Sequence, residues 1–222
     1  MERKFEFEYG QYYHVFNRGV EKRPIFLDDI DRERFQCLLY LSNGSKPFVF
    51  KRLKGDPLDW DRGATITSII SYALMGNHFH IVACEDSDNG LSTFMGKLST
   101  AYSMYFNTKY QRSGALLCHP FRARHIHFDD YFRWIMSYVH LNPLDIFSPE
   151  WKSKKDIDAD KALGFLASYK YSSYGDYFGG DRRESKIIAK YKLPIELRDL
   201  ESVGAMLEEY KSPPEDCVTD VW

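Results

Sequence analysis

The sequence predicts an α+β fold, and three observations predict it. Aromatic and β-branched runs are interleaved with helically periodic ones in the order strand, helix, strand, strand, helix, strand, helix. The two middle strands are separated only by Met75-Gly76-Asn77, a tight-turn signature that makes them an antiparallel hairpin. Hairpins mixed with helices, with no internal repeat, point away from a doubly wound parallel sheet.

Each element has its own reason. Residues 11–17, QYYHVFN, are aromatic and β-branched enough for a strand that the turn residues Asn17-Arg18-Gly19 end. From Asp28 to Leu41 the apolar positions Ile30, Phe35, Leu38, Leu39 and Leu41 recur at near-helical spacing. Asp28 and Asp29 offer the N-cap of that helix, and Asn43-Gly44 its stop. Residues 43–64 read as a loop with one short strand at Phe48-Val49-Phe50. Residues 65–74 and 77–84 are the hairpin strands, and 91–108 is an amphipathic helix with Leu91, Phe94, Met95, Leu98, Tyr102, Tyr105 and Phe106 on one face. A strand and a loop fall within 114–128, and Asp129-Asp130 open a helix that runs to about Leu141, before Pro143. Beyond Ser148-Pro149, helices are expected over 160–168 and 195–210. The organisation is therefore a main domain over 1–148 and a C-terminal extension over 149–222.

Composition narrows the class. The chain has 222 residues, 44% hydrophobic and 28% charged, enough for a sizeable core and unlike a disordered chain. No apolar run approaches the roughly 20 residues that span a bilayer, and the N-terminus lacks a signal-peptide core, so a cytoplasmic protein without membrane partners is expected. Cys37, Cys84, Cys118 and Cys217 are scattered with no CxxC pair, as reduced thiols are. The net charge of −2 does not suggest nucleic acid, but its distribution does. From Asn89 to Phe128 there is no Asp or Glu, while Lys97, Lys109, Arg112, Arg122 and Arg124 fall in the same window. Such a window is either a phosphate-binding surface or a solvated face that lacks acids.

Two groups of residues have the chemistry of a site. His78-Phe79-His80 alternates along a strand, so both imidazoles share one face about 6.7 Å apart at Cα, with Phe79 on the other. Two neutral imidazoles can share a divalent metal, or be structural. Tyr138 and Asn142 are four residues apart on one helix and share a face. A Tyr hydroxyl can act as a covalent nucleophile, and Asn142 can add an oxygen ligand, whereas a Tyr in line with Tyr131 and Ile135 is also ordinary core. His125 and His127 form a second such pair beside Arg122 and Arg124, either near phosphate or by chance. Tyr12, Tyr13 and Phe16 can stack on unpaired bases or pack in a core. Arg18, just after a strand, is a candidate phosphate or base contact.

Three ordered motifs then change the meaning of these residues: Tyr12-Tyr13-His14-Val15-Phe16-Asn17-Arg18-Gly19, Tyr72-Ala73-Leu74-Met75-Gly76-Asn77-His78-Phe79-His80-Ile81-Val82, and Tyr138-Val139-His140-Leu141-Asn142-Pro143. Together they resemble the small single-tyrosine HUH transposases, in particular the REP-associated tyrosine transposase branch. The resemblance covers roughly residues 9–145, with a fainter match over 168–174. It implies a ferredoxin-like antiparallel sheet flanked by helices, and cleavage and rejoining of single-stranded DNA beside a hairpin. It implies that His78 and His80, with Asn142, hold Mg²⁺ or Mn²⁺, and that Tyr138 attacks the scissile phosphate to leave a 5′-phosphotyrosine and a 3′-OH. Lys97, Arg112, Arg122, Arg124 and Arg18 are then the expected DNA contacts, and a homodimer is compatible with this reading. The sequence departs from the family at His119-Pro120 and at Leu144-Asp145, where a basic continuation is usual, and residues 43–64 are a long insert. A domesticated protein that binds hairpins without transposing is the alternative.

Overall fold

The computed structural model describes residues 6–127, 129–152, 158–194 and 203–213. The main body runs β1 (Tyr12–Arg18), α1 (Asp29–Ser42), β2 (Thr67–Leu74), β3 (His78–Glu85), α2 (Gly90–Lys109), β4 (Arg122–Ile126) and α3 (Asp129–Leu141). Four shorter helices follow: α4 (Leu144–Phe147), α5 (Ala159–Ser168), α6 (Tyr174–Phe178) and α7 (Val203–Lys211). The strands form one sheet in the order β2-β3-β1-β4, with every neighbouring pair antiparallel. That order, with a helix between β1 and β2 and another between β3 and β4, is the split βαβ arrangement of ferredoxin-like folds, so the α+β expectation holds.

Both faces of the sheet are covered, which is why its central strands read as nearly continuous apolar runs. On the first face, α1 supplies Phe35, Leu38 and Leu39, and α2 supplies Leu91, Phe94, Met95, Leu98, Tyr102 and Phe106, against Tyr13, Val15, Tyr72, Leu74, Phe79 and Ile81. On the second face, α3 supplies Phe132, Ile135, Met136 and Val139 against Ile70, Ala73, Val82 and Ile126. A bulge in β2 between Ile69 and Ser71 reconciles its sequence with this division. One extra residue lets Ile69 and Tyr72 share the first face although they are three apart.

The helix ends are set locally. Asp28 caps α1 by accepting the Asp31 N–H, as its position predicts. The start of α2 is held by the buried Glu85 carboxylate, which accepts the N–H groups of Gly90 and Leu91 at 2.8 Å each. The short strand expected at Phe48-Val49-Phe50 does not form. Those residues lead into 3₁₀ turns at Phe50–Arg52 and Pro57–Asp59, and Phe48 and Phe50 pack onto the first core instead.

The C-terminal residues return to the body. Leu74 N–H donates to Tyr171 O, Ser173 N–H to Tyr72 O, Tyr72 N–H to Ser173 Oγ, and Ala189 N–H to Ile69 O, all along β2. The helix α7 lies against α3, with Trp134 Nε1 donating to Tyr210 O at 3.3 Å. The helix expected over 195–210 is described as α7 from Val203; residues 195–202, like Cys217, lie outside the described residues. No helix among the described residues is long and apolar enough to cross a membrane.

Candidate active site

The second face of the sheet differs from a plain core in one place. Strand alternation puts His14, Phe16 and Arg18 of β1 and His78, His80 and Val82 of β3 on the same side. The register sets Phe16 opposite His80 and Arg18 opposite His78, leaving His14 diagonal to His80. On β4, Arg122 pairs with Phe16 and Arg124 with His14, so both arginines border the histidines. The last turn of α3 lies over them and brings Tyr138.

The aromatic contacts define the arrangement. The Tyr138 ring meets His80 edge-on, with centroids 5.2 Å apart and planes at 88°. Its face stacks on Trp134 at 5.2 Å and 18°, and Tyr210 of α7 lies nearly parallel to it at 6.2 Å. His78 and His80 are also edge to face, at 5.0 Å. His14 and His80 are stacked at 5.1 Å, with His14 Nε2 2.9 Å from His80 Nδ1. Tyr138 is only 6% exposed, His14 and Asn142 1%, and His80 is fully buried.

Burial dominates the electrostatics. It pulls His14 down to about 3, with Arg124 adding to the effect. It pulls His78 down to about 4, where Asp145 opposes it and Lys152 and Arg18 reinforce it. It holds His80 well below the ordinary histidine range, helped by His14, His78 and Lys152. All three imidazoles are therefore neutral at pH 7, the form that ligates metals. Burial likewise raises the Tyr138 phenol above its usual range, and the neighbouring Asn142 amide is the main influence in the opposite direction.

The donor set suits a divalent cation. His78 Nδ1 lies 2.6 Å from Asn77 Oδ1 and His80 Nδ1 lies 2.9 Å from His14, so each ring is anchored through Nδ1, with Nε2 as its remaining nitrogen. Second anchors of this kind are what metal-bound histidines use. The Asn142 amide nitrogen is buried with the Tyr138 hydroxyl as its neighbour, and turning the amide over would set an oxygen ligand in its place. No group of three or more His, Cys, Asp or Glu side chains suited to a metal occurs among the described residues, so two imidazoles and an amide are the available set.

The structure brings His78, His80, Tyr138 and Asn142 together and sets Arg18, Arg122 and Arg124 around them. It does not bring Lys97 or Arg112 there. Lys97, on α2, donates to Gly44 O and borders an apolar recess between α1 and α2 on the first face. Arg112 folds back on Asn107 Oδ1 at 2.9 Å. His125 also belongs to the first face, where its ring packs on Tyr13 and bonds Gln11. Tyr13 and Phe16 are core residues, each 2% exposed. Tyr12 packs edge-on against Phe132 and donates its hydroxyl to Lys192 O.

Two neighbours escaped the reading of the sequence. His14 is one. Lys152 is the other: its ammonium lies 5.8 Å from the centre of the Tyr138 ring and pairs with Asp145 at 2.9 Å, while Asp145 also accepts Trp151 Nε1–H at 2.7 Å. Alternation on β1 signals the face of His14. Nothing in the linear sequence signals Lys152, which arrives by the chain turning back after α4.

No protein-family model matches the chain, and no curated protein matches it. Among solved structures it is similar to one described as the REP associates tyrosine transposase bound to a REP hairpin. The identity is 10%, the match covers 79% of this chain and 83% of that one, and the TM-score is 0.46. A likeness that distant carries no argument about the site.

Proposed function

We propose that this chain is a metal-dependent endonuclease and strand transferase for single-stranded DNA with hairpin elements, and that Tyr138 is its nucleophile. One observation carries the reading: two neutral imidazoles on one strand, an amide and a tyrosine on one helix turn, and a rim of arginines meet on a single face of the sheet. The three motifs from Tyr12 to Pro143 support it independently.

In this reading His78, His80 and Asn142 hold Mg²⁺ or Mn²⁺, which when bound polarises a non-bridging phosphate oxygen. Arg18, Arg122 and Arg124 hold the DNA backbone against β1 and β4. The Tyr138 oxygen loses its proton to solvent and bonds to phosphorus, and the bond from phosphorus to the 3′-oxygen breaks. The leaving 3′-oxygen takes a proton, giving a 5′-phosphotyrosine and a 3′-OH. The reverse attack by a 3′-OH rejoins strands without a nucleotide cofactor, because the phosphodiester energy is kept in the covalent link.

A second reading, hairpin binding without turnover, is favoured by the 6% exposure of Tyr138 beneath Tyr210. One experiment separates the two. The protein is incubated with hairpin-flanked single strands and Mn²⁺ and run on an SDS gel. A shifted band that survives SDS and disappears in EDTA supports the nuclease. Tight native binding with no such band supports the binding protein.

A further inference from the structure

On the reading that His78 and His80 take up a divalent metal, we propose that His14 is a positioning residue for His80. It accepts the Nδ1–H of His80 and thereby leaves the lone pair on His80 Nε2.

The geometry comes from strand pairing. His14 and His80 are diagonal neighbours on β1 and β3, their rings 20° from parallel, with 2.9 Å between His14 Nε2 and His80 Nδ1. At that distance one proton lies between the two nitrogens. A neutral imidazole has one N–H and one lone pair, so that shared proton fixes both tautomers. If His80 donates, its Nε2 has a lone pair and His14 Nδ1 carries the hydrogen. If His14 donates, the hydrogen of His80 sits on Nε2, and that nitrogen cannot ligate.

The neighbouring histidine shows which arrangement suits the site. His78 Nδ1 faces Asn77 Oδ1, an oxygen that only accepts, so His78 donates from Nδ1. The two histidines are then anchored in the same sense, one by an amide oxygen and the other by an imidazole. The orientation of the His14 ring is also held by Phe16, on which it stacks at 4.8 Å. At 1% exposure it is shielded from water that would compete for the proton of His80. The same burial keeps it from touching DNA, so its part in the reaction passes through His80.

Two measurements test this. The first is the tautomer of His80 in the metal-free protein, read from the ¹⁵N shifts of labelled imidazoles. The wild type is expected to show Nδ1–H, and His14→Phe, which keeps the ring stack without an acceptor, to lose that preference. The second is Mn²⁺ affinity, followed by the EPR signal of unbound Mn²⁺. His14→Phe is expected to weaken binding by about 10- to 100-fold, the usual effect of losing such an anchor. His14→Gln, which restores an acceptor oxygen, is expected to recover most of it. A wild-type His80 carrying Nε2–H overturns the proposal, as does a folded His14→Phe that binds Mn²⁺ like the wild type. A wild type that binds no Mn²⁺ removes the metal reading alone, because the tautomer of His80 in the two proteins still decides the role of His14. If His14→Phe does not fold, the wild-type tautomer and His14→Gln decide it.

Discussion

Both faces of the sheet are lined with aromatic rings and put them to opposite uses. Under α1 and α2, Phe35, Phe79, Phe94 and Tyr102 interlock among aliphatic side chains, and the Tyr102 hydroxyl donates to the backbone at Ile25. Under α3, the rings of His14, His80, Tyr138 and Trp134 also interlock, but three of these four carry groups that exchange protons or ligate ions. The same strands build both, residue by residue: Phe79 points to one side and His78 and His80 to the other. A pleated strand can thus supply stability and chemistry at successive positions without mixing them.

The sharpest way to break this comparison is Tyr138→Phe. It removes one oxygen from a stacked ring, so the free energy of unfolding is expected to stay within about 1 kcal/mol of the wild type. The SDS-resistant DNA adduct is expected to vanish, while native hairpin binding persists. An adduct that survives would move the nucleophile to another tyrosine, such as Tyr131.

The matching experiment on the other face is Phe79→Ala. It opens a cavity in the first core and is expected to cost about 3–5 kcal/mol in denaturant unfolding. A loss of activity without a loss of stability would show that the division between the faces is wrong.

Acid probes the second face directly. His14 and His140 are buried and held near 3, whereas in the unfolded chain they protonate near 6.5. Below pH 6.5 the unfolded state binds more protons than the folded one, so stability falls as pH falls, and goes on falling to about pH 3. Each such histidine adds up to about 1.4 kcal/mol per pH unit to the slope. Urea titrations between pH 7 and pH 4.5 are expected to show this, and His140→Gln to flatten it. A stability independent of pH over that range would mean that these imidazoles protonate as readily in the fold as in the unfolded chain.

The smallest effect sharpens the electrostatics. Arg122→Ala with Arg124→Ala is expected to flatten the plot of log affinity against log salt by about 0.7 per lost contact to a single strand, or 0.9 to a duplex stem. Lys97→Ala, on the opposite face, is expected to leave the slope unchanged. The reverse result would move the DNA to the α1–α2 side.

Lys97 shows where sequence reading stops. The acid-free window from Asn89 to Phe128 is continuous in the chain but divided by the sheet, with Lys97, Lys109 and Arg112 on or beside α2 and Arg122 and Arg124 on β4 beside the site. Linear charge carries no information about faces. Periodicity does: it placed β1, β2, β3, α1, α2 and α3, bounded β4 only to 114–128, and put a strand at Phe48-Val49-Phe50 where none forms. That run is apolar because it lies on helices, with the Arg34 guanidinium 3.4 Å from the centre of the Phe50 ring, and not because it pairs. Of the site, the two strand histidines and the helical Tyr138–Asn142 pair were legible because each depends on spacing within one element. His14 depends on register between strands, and Lys152 on a reversal of the chain. Lys152 falls outside the basic window altogether, yet it lies over the Tyr138 ring.

The bonds that Tyr171, Ser173 and Ala189 make along β2 have a consequence for assembly. As the outermost strand, β2 would otherwise present a row of unsatisfied N–H and C=O groups, a template on which another copy can add a strand. The returning segment occupies Ile69, Tyr72 and Leu74 on that row, and the Tyr177 hydroxyl donates to Ile70 O. The C-terminal residues thus act as a built-in cover against self-association. A chain cut after Ser148 would uncover the backbone edge of this eight-residue strand. Such a fragment is expected to collect in aggregates even where the half that carries the candidate site folds.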